Sequence, residues 1–477
     1  MTLPFNTTDT IVALATPAGT GAIAVIRLSG NNAFDIADRI FRSKKERHNK
    51  VSSFNSQTIH FGNIVDVRQR TDSPGRDEKT IDEVLLSVFR SPNSYTGEDI
   101  VEISCHGSTF IQQTILQIAL KQGARLAREG EFTLRAFLNG KMDLSQAEAV
   151  ADIVSSDSEG ALNLAMNQMR GGYSADIKKM REELIHLASL IELELDFAEE
   201  DVEFANREQL KKLVQSLKFK VQSLIDSFAL GNAIKQGIPV VIAGKPNVGK
   251  STLLNVLLNE ERAIVSPIAG TTRDTVEEEI VLSGIKFRLI DTAGIRQTTD
   301  TIENLGVSRT MEKINRSPVL IYLFDVNETS PVMLKEEIKM LKKKSGENNF
   351  KIILAGNKSD MASEEKLSLE FNGSGVLFIS AKHKTKIADL KEKLLRTVER
   401  GEKLQNNFIV TNARHVSAFQ GARQSLENVL AGLEKKLSGD LLAPDLRNAL
   451  NYLGEVTGEV TTDDLLHNIF SKFCIGK

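Results

Sequence analysis

IPVVIAGKPNVGKST, residues 238–252, runs an apolar stretch without interruption into a glycine-rich turn. The apolar run is strand-sized, and the turn fits G-x-x-x-x-G-K-[ST] with Gly244, Gly249, Lys250 and Ser251. Each residue type answers a need of phosphate chemistry. The glycines let backbone N–H groups curl around phosphate oxygens, Lys250 places a cation beside the terminal phosphates, and Ser251 offers a hydroxyl to Mg²⁺. Taken alone, the motif also suits an ordinary glycine-rich turn.

Three further strand-like runs decide between the two. KFRLI (286–290) leads into DTAG (291–294), which suits sensing of Mg²⁺ and the terminal phosphate. KIILAG (351–356) leads into NKSD (357–360), and VLFIS (376–380) leads into SAK (380–382). Asp360 can accept hydrogen bonds from the ring N–H and exocyclic amine of guanine, a pair that adenine does not present. GTP is therefore expected over ATP. The domain resembles the translation-factor-like small GTPases, with GTTRD (270–274) as the first switch and Thr272 as the second Mg²⁺ ligand beside Ser251. The expected nucleotide contacts are Asn247, Val248, Gly249, Lys250, Ser251 and Thr252; Ser266, Pro267, Ile268, Ala269, Gly270, Thr271 and Thr272; Asp291, Thr292, Ala293 and Gly294; Asn357, Lys358, Ser359 and Asp360; and Ser380, Ala381 and Lys382.

After D-x-x-G, small GTPases of the Ras type carry a glutamine that orients the attacking water. Here the residue is Ile295, which neither donates nor accepts a hydrogen bond. Asn247 and the run SPIAGTT (266–272) can supply oxygens to a monovalent cation where an arginine finger would otherwise stand.

Around this domain the pattern changes twice. TIVALATP, AIAVIRL, TIHFGNIVDV and EVLLSVF, all before residue 110, read as strands, interrupted by one helix near 110–122. RTDSPGRDEK (70–79) reads as an exposed hairpin loop, so the first region is α+β. Past Asn139-Gly140, Ser145 and Glu148 have capping-box spacing and introduce helices. Leu210, Val214, Leu217, Val221, Leu224 and Phe228 form one apolar stripe that stops at Gly231. Helical patterning returns after about residue 412 with Val416, Phe419, Leu426, Val429, Leu430, Leu433 and Leu437. Strands and helices alternate from 237 to about 400, the signature of a parallel α/β sheet. The simplest architecture is a four-part chain: an α+β domain over 1–139, helical segments over 140–232 and 401–477, and a P-loop domain over 233–400 inserted between them.

Composition sets outer limits. At 477 residues the chain has room for about three domains at roughly 150 each. A formal charge of −3 leaves nucleic-acid contact to local patches, such as RSKKERHNK (42–50) and KKK (342–344), which also suit solvated faces. No apolar run approaches the roughly 20 residues that cross a bilayer. Two cysteines, Cys105 and Cys474, make no disulfide framework, and the start lacks the pattern of a secretory leader, so a cytoplasmic protein is expected. Cys474, in the terminal FCIGK, admits three readings: lipidation, nucleophile or packing. Its C-a-a-X spacing ends in Gly-Lys, which disfavours prenylation.

These motifs, with PNSYTGEDIVEISCHG, EGEFTLRAFLNGKMDLSQAEAV and TTDDLLHNIFSKFCIGK, fall in the order of one family over nearly the whole length. The chain closely resembles the bacterial tRNA-modification GTPases MnmE, also called TrmE. The resemblance implies a K⁺-activated GTPase that forms a homodimer through its N-terminal domain. With a FAD-carrying partner, MnmG, it adds an aminomethyl or carboxymethylaminomethyl group at C5 of the wobble uridine of certain tRNAs. It further implies that Asn247, Ser266, Ile268 and Thr271 hold K⁺, that Glu303 is the catalytic glutamate polarising water through a second water, and that Arg27, Glu102, Lys141 and Lys477 bind 5-formyl- or 5,10-methylene-tetrahydrofolate. In that reading the CIGK tail reaches the folate pocket. GTGA (19–22) and HGS (106–108) depart from the family's more glycine-rich pattern at the folate loop. A ribosome-assembly switch and a stand-alone folate aminomethyltransferase are the rival classes. The first has no use for a folate-like N-terminal region, and the second needs no flavoprotein.

Overall fold

A computed structural model of the chain describes residues 8–45, 50–69, 76–196, 207–261, 277–291, 317–344, 350–399 and 409–476. The chain divides into two compact units, one of residues 1–154, 168–215 and 424–477, the other of 155–167 and 216–423.

The first unit is built on strands β1 (Ile11–Leu14), β2 (Ile23–Ser29), β3 (Phe41–Ser43), β4 (Thr58–Gln69), β5 (Arg76–Phe89), β6 (Ile100–His106) and β7 (Arg125–Leu126). They form one sheet in the order β3-β4-β5-β6-β2-β1-β7, antiparallel except for the β1–β7 pair. Period-two alternation sends Ile26, Leu28, Val84, Leu86 and Ile103 to one face, where the helices Ala33–Ile40 and Thr109–Lys121 bury them. The opposite face leaves Ile59, Phe61 and Leu85 exposed. Beyond the sheet, helix Ser174–Asp196 packs against Gly439–Thr457. The C-terminal helix Asp463–Phe470 joins Leu134, Leu144 and Ala147 in a separate apolar cluster.

In the second unit, β8 (Ile238–Ala243), β9 (Glu277–Leu282), β10 (Ile285–Asp291), β11 (Val319–Asp325), β12 (Lys351–Asn357) and β13 (Leu377–Phe378) order as β13-β12-β11-β8-β10-β9. Every residue of β11 is buried, as expected of a central strand covered on both faces. The sheet is parallel but for β9, which pairs antiparallel with β10. Two strands joined by the short turn at Ser283-Gly284 have no room for a crossover.

Several sequence expectations are corrected. Helix Ala33–Ile40 is a second helix ahead of residue 110, its apolar Phe34, Ile36, Ala37 and Ile40 all buried. The strand β5 begins at Arg76, so the expected loop over 70–79 gives up its last four residues to a ladder in which Arg68 pairs with Asp77. The helix Leu144–Ser155 is capped by Asp143 and not Ser145. Asp143 Oδ1 accepts from Gln146 N at 2.9 Å while Gln146 Oε1 accepts from Asp143 N at 2.9 Å, a reciprocal box set two residues earlier. Ser145 is buried within the helix, with its hydroxyl 2.8 Å from that of Ser174. The helix Arg207–Gln236 also runs straight through Gly231, where a Cβ would lie 2.2 Å from the carbonyl oxygen of Val410. That glycine admits a neighbouring backbone and does not end the helix. Leu437 lies past the end of helix Ala413–Glu434 and is exposed, outside the apolar face assigned to it.

Candidate functional site

Four of the GTPase motifs follow the carboxyl ends of β8, β10, β12 and β13, the edge of an open parallel sheet where ligands bind. The phosphate loop leaves β8 and passes into helix Lys250–Glu261 at Lys250. Its curl depends on two left-handed residues, Asn247 at φ 64° and Gly249 at φ 99°. Asparagine tolerates that region and glycine enters it without cost. Lys250 Nζ donates to the carbonyls of Gly244 at 2.8 Å and Lys245 at 2.7 Å, and Ser251 and Thr252 stand exposed at the helix start. The loop thus ends on a helix N-terminus, whose first backbone N–H groups have no partner within the helix and favour an anion.

Asn357 joins this loop to SAK, one of the segments expected to recognise the base. Its Nδ2 donates to the Val248 carbonyl at 2.7 Å and its Oδ1 accepts from Ala381 N at 2.9 Å. One buried amide therefore fixes the phosphate loop against SAK. Next to it, Lys358 is left-handed at φ 64° and its Nζ pairs with Asp325 Oδ2 at 2.7 Å. Burial opposes ionisation of Asp325, but hydrogen bonds from Lys358 and Asn327 outweigh it, and the carboxyl titrates below its ordinary value. Asp360 is held below the usual carboxylate range by a hydrogen bond from Ser380 and by the charges of His383 and Lys382. It is ionised near neutrality, as acceptance from guanine requires.

Gly249 has almost no freedom to change. A Cβ there would sit 2.3 Å from Asn357 Nδ2, on a backbone that L-residues rarely adopt. Gly249→Ala is expected to weaken GTP binding by about 10- to 100-fold, the scale of one lost buried hydrogen bond plus strain. Fluorescent-nucleotide titration reads this, and unchanged affinity would show that the amide brace is dispensable.

Ser266, Pro267, Ile268, Ala269, Gly270, Thr271 and Thr272, then Thr292, Ala293, Gly294, Ile295, Glu303 and Lys477, lie outside the described residues. Asp291 is placed as the last residue of β10, in register with Ile242 of β8. Of the residues assigned to metals, the described set contains Asn247 and Ser251, both exposed and both on the phosphate loop or its helix.

In the first unit, Arg27 and Glu102 are brought together as cross-strand partners of β2 and β6. Arg27 Nε donates to Glu102 Oε1 at 2.7 Å. Lys141 bonds elsewhere: its Nζ donates to the Pro92 carbonyl at 2.9 Å and its methylenes pack on Gly97. The guanidinium of Arg27 also lies 5.5 Å from the ring centre of Tyr95 and 5.6 Å from that of Phe132. Sequence reasoning missed both rings, because nothing in the spacing of PNSYTGED and EGEFTL says that they close on one cation.

Beside Phe132 stands an ionic cluster built around the buried Arg135 and Glu131. Arg135 reaches Asp9 at 2.6 Å, Glu131 at 3.0 Å and Glu98 at 3.2 Å, and Arg125 reaches Glu131 at 2.6 Å. Burial would raise the carboxyls of Asp9 and Glu131, yet their arginine partners keep both below ordinary values. The C-terminal tail ends in the same unit. Ile475 makes an antiparallel bridge with Glu129, and Gly476 abuts the Leu14 carbonyl at the end of β1. Of the two cysteines, Cys105 is buried with its thiol pushed up to about 11 by burial and by Asp82, whereas Cys474 is exposed.

Family models described as the GTP-binding protein TrmE N-terminus and the MnmE helical domain match residues 10–141 and 144–474 respectively. The chain is 55% identical over 470 residues to the tRNA modification GTPase MnmE of Flavobacterium psychrophilum, covering 98% of this chain and 99% of that one. To the protein of the same name from Cytophaga hutchinsonii it is 53% identical over 475 residues, 99% of this chain and 98% of the other. For Parabacteroides distasonis the figures are 47% over 476 residues, 98% and 100%. With this identity along almost its entire length, the chain belongs to the MnmE family of tRNA modification GTPases.

Proposed function

We propose that this chain is a K⁺-activated GTP hydrolase which, with the FAD-carrying MnmG, adds an aminomethyl or carboxymethylaminomethyl group to C5 of the wobble uridine of certain tRNAs, taking the one-carbon unit from tetrahydrofolate. The observation that carries the GTPase reading is the Asn357 amide, which ties the phosphate loop to the guanine-recognition segment at one sheet edge. The tRNA reading rests on the name its relatives bear.

In this reading GTP is bound at Asn247–Thr252, with Asp360 on the base. Ser251 and Thr272 hold Mg²⁺, and Asn247, Ser266, Ile268 and Thr271 hold K⁺. The two cations supply positive charge where the transferring phosphoryl group gathers negative charge. Glu303 orients the water, a task Ile295 cannot perform. Arg27, Glu102, Lys141 and Lys477 hold the folate, and the half-buried Arg27–Glu102 pair, 21% and 25% exposed, fits a site that must shed water to bind an organic ligand.

The P-loop domain over 233–400 is inserted between helical segments 140–232 and 401–477, after an N-terminal domain over 1–139. The protein acts in the cytoplasm as a homodimer. Support for self-association comes from the uncovered sheet face, where Phe61 and Leu85 are cross-strand neighbours and both remain about half exposed, at 48% and 47%. No described helix is long and apolar enough to cross a membrane.

The test is mass spectrometry of tRNA nucleosides from a deletion strain. Loss of the modified wobble uridine, restored by the wild-type gene, is the expected result. Glu303→Ala is expected not to restore it, and the purified variant should turn over GTP about 100-fold more slowly with affinity little changed. A matching loss of affinity would assign Glu303 a structural role, and unaltered nucleosides in the deletion strain would reject the function.

A further inference from the structure

Arg27 has three partners. Its Nε donates to Glu102 at 2.7 Å, and the rings of Tyr95 and Phe132 lie 5.5 and 5.6 Å from its guanidinium carbon. Among the described residues it makes no other hydrogen bond, so its two terminal amino groups are not committed. The rings are themselves anchored. Phe132 and Thr133 are fully buried in the first turn of helix Glu131–Leu138, and the Tyr95 hydroxyl lies 2.8 Å from Thr133 Oγ1. That turn is fixed in turn by Glu131, which accepts from Arg125 at 2.6 Å, Arg135 at 3.0 Å and Arg128 N at 2.8 Å. A continuous set of bonds thus runs from the ionic cluster to the two rings beside Arg27.

We propose that Tyr95 and Phe132 are positioning residues for the folate site: they clamp the Arg27 guanidinium between two π-faces and leave its terminal N–H groups to meet acceptor atoms of the reduced folate. The proposal rests on the folate reading above and adds to it the device that orients the cation. Arginine suits this arrangement as lysine does not, because a planar delocalised cation stacks on aromatic faces and still donates from its edge. The Nε–Glu102 bond fixes the third direction.

The experiment titrates the full-length protein with 5-formyltetrahydrofolate by calorimetry, using Arg27→Lys, Tyr95→Met, Tyr95→Phe and the double variant Arg27→Lys/Tyr95→Met. Methionine fills comparable space without a π-face. Tyr95→Met is expected to weaken binding by about 10-fold, the scale of a partly desolvated cation–π contact. Tyr95→Phe, which keeps the ring, is expected to stay within about 3-fold of wild type. In the Arg27→Lys background Tyr95→Met is expected to cost clearly less than in the wild type, since a compact ammonium lacks the planar face that stacks on the ring. A purely structural contribution would instead remain additive, and that outcome overturns the proposal, as does a wild-type affinity for Tyr95→Met alongside a weakened Arg27→Lys. If Arg27→Lys itself binds folate normally, the folate reading fails and the clamp with it. Should Tyr95→Met not fold, Phe132→Met supplies the same cycle from the other ring: a loss that shrinks in the Arg27→Lys background supports the clamp, and an additive loss overturns it.

Discussion

GTP turnover is expected to fall by about 10³-fold when K⁺ is replaced by Na⁺ at equal ionic strength. The magnitude follows from what the site lacks. An arginine finger contributes roughly 10³–10⁵ in rate, about 4–7 kcal/mol, and this chain has Ile295 where a water-orienting glutamine would stand. In the proposed site Asn247 and the run 266–272 would hold a monovalent cation that substitutes for that charge, and Na⁺ would be too small for a cage of K⁺-sized oxygens. Asn247 is the described member of the proposed cage. It sits exposed at φ 64° between Pro246 and Val248, whose carbonyl is pinned by Asn357. That backbone dictates the variant to use. Asn247→Ala removes the side-chain oxygen but also forces a Cβ-bearing residue without asparagine's local hydrogen bonding into the left-handed region, whereas Asn247→Gly removes the oxygen with no such strain. Both variants should lose most of the K⁺ stimulation, and Asn247→Gly should keep its GTP affinity within a few-fold. Equal rates in the two salts would reject the cation site altogether.

The phosphate loop is legible in the sequence because its geometry is local. A phosphate loop is a contiguous run whose glycines, lysine and serine are fixed by spacing, and strand-sized apolar runs announce where the loop begins. The features that escape a sequence reading depend on residues far apart in the chain. Asn357 is legible as part of NKSD, but its brace between Val248 and Ala381 exists only once three sheet-edge loops converge. At the start of helix Leu144–Ser155 two overlapping pairs satisfy the capping pattern, Asp143 with Gln146 and Ser145 with Glu148. Tertiary packing chooses the first, because Ser145 is drawn into the interior beside Ser174. Gly231 reads as a helix stop for want of any sign that Val410 comes to rest against it. Arg27 and Glu102 offer nothing individually. Their pairing is a matter of register between β2 and β6, which are neighbours in space and not in sequence.

Deleting Cys474–Lys477 is expected to abolish tRNA modification while K⁺-stimulated GTP hydrolysis persists, and Cys474→Ser is expected to do nearly the same. Helix Asp463–Phe470, capped by Thr462, whose Oγ1 accepts from Leu465 N at 3.2 Å, delivers Phe470 and Phe473 into the cluster with Leu134 and Leu144. Packing accounts for the chain as far as Phe473 and no further. Beyond it Cys474 is exposed and Ile475 is 58% exposed, so the tail gains little from burying side chains. Its backbone is nevertheless seated. Ile475 bridges Glu129, and Gly476, at φ 101°, lies where a Cβ would come within 2.3 Å of the Leu14 carbonyl. Leu14 follows Ala13, the cross-strand partner of Arg27. An exposed thiol on a tail held by its backbone beside the proposed folate site suits a role in chemistry or ligand contact. Gly476→Ala separates the thiol from its seat: it keeps the thiol but unseats the tail, and should reduce modification as the deletion does. Nucleoside mass spectrometry reads modification, and phosphate release reads GTP hydrolysis, whose residues lie in the other compact unit. Normal modification by Cys474→Ser, with loss in the deletion, would move the function from the thiol to Lys477 or the backbone. Normal modification by both would reduce the tail to packing and remove it from the folate site.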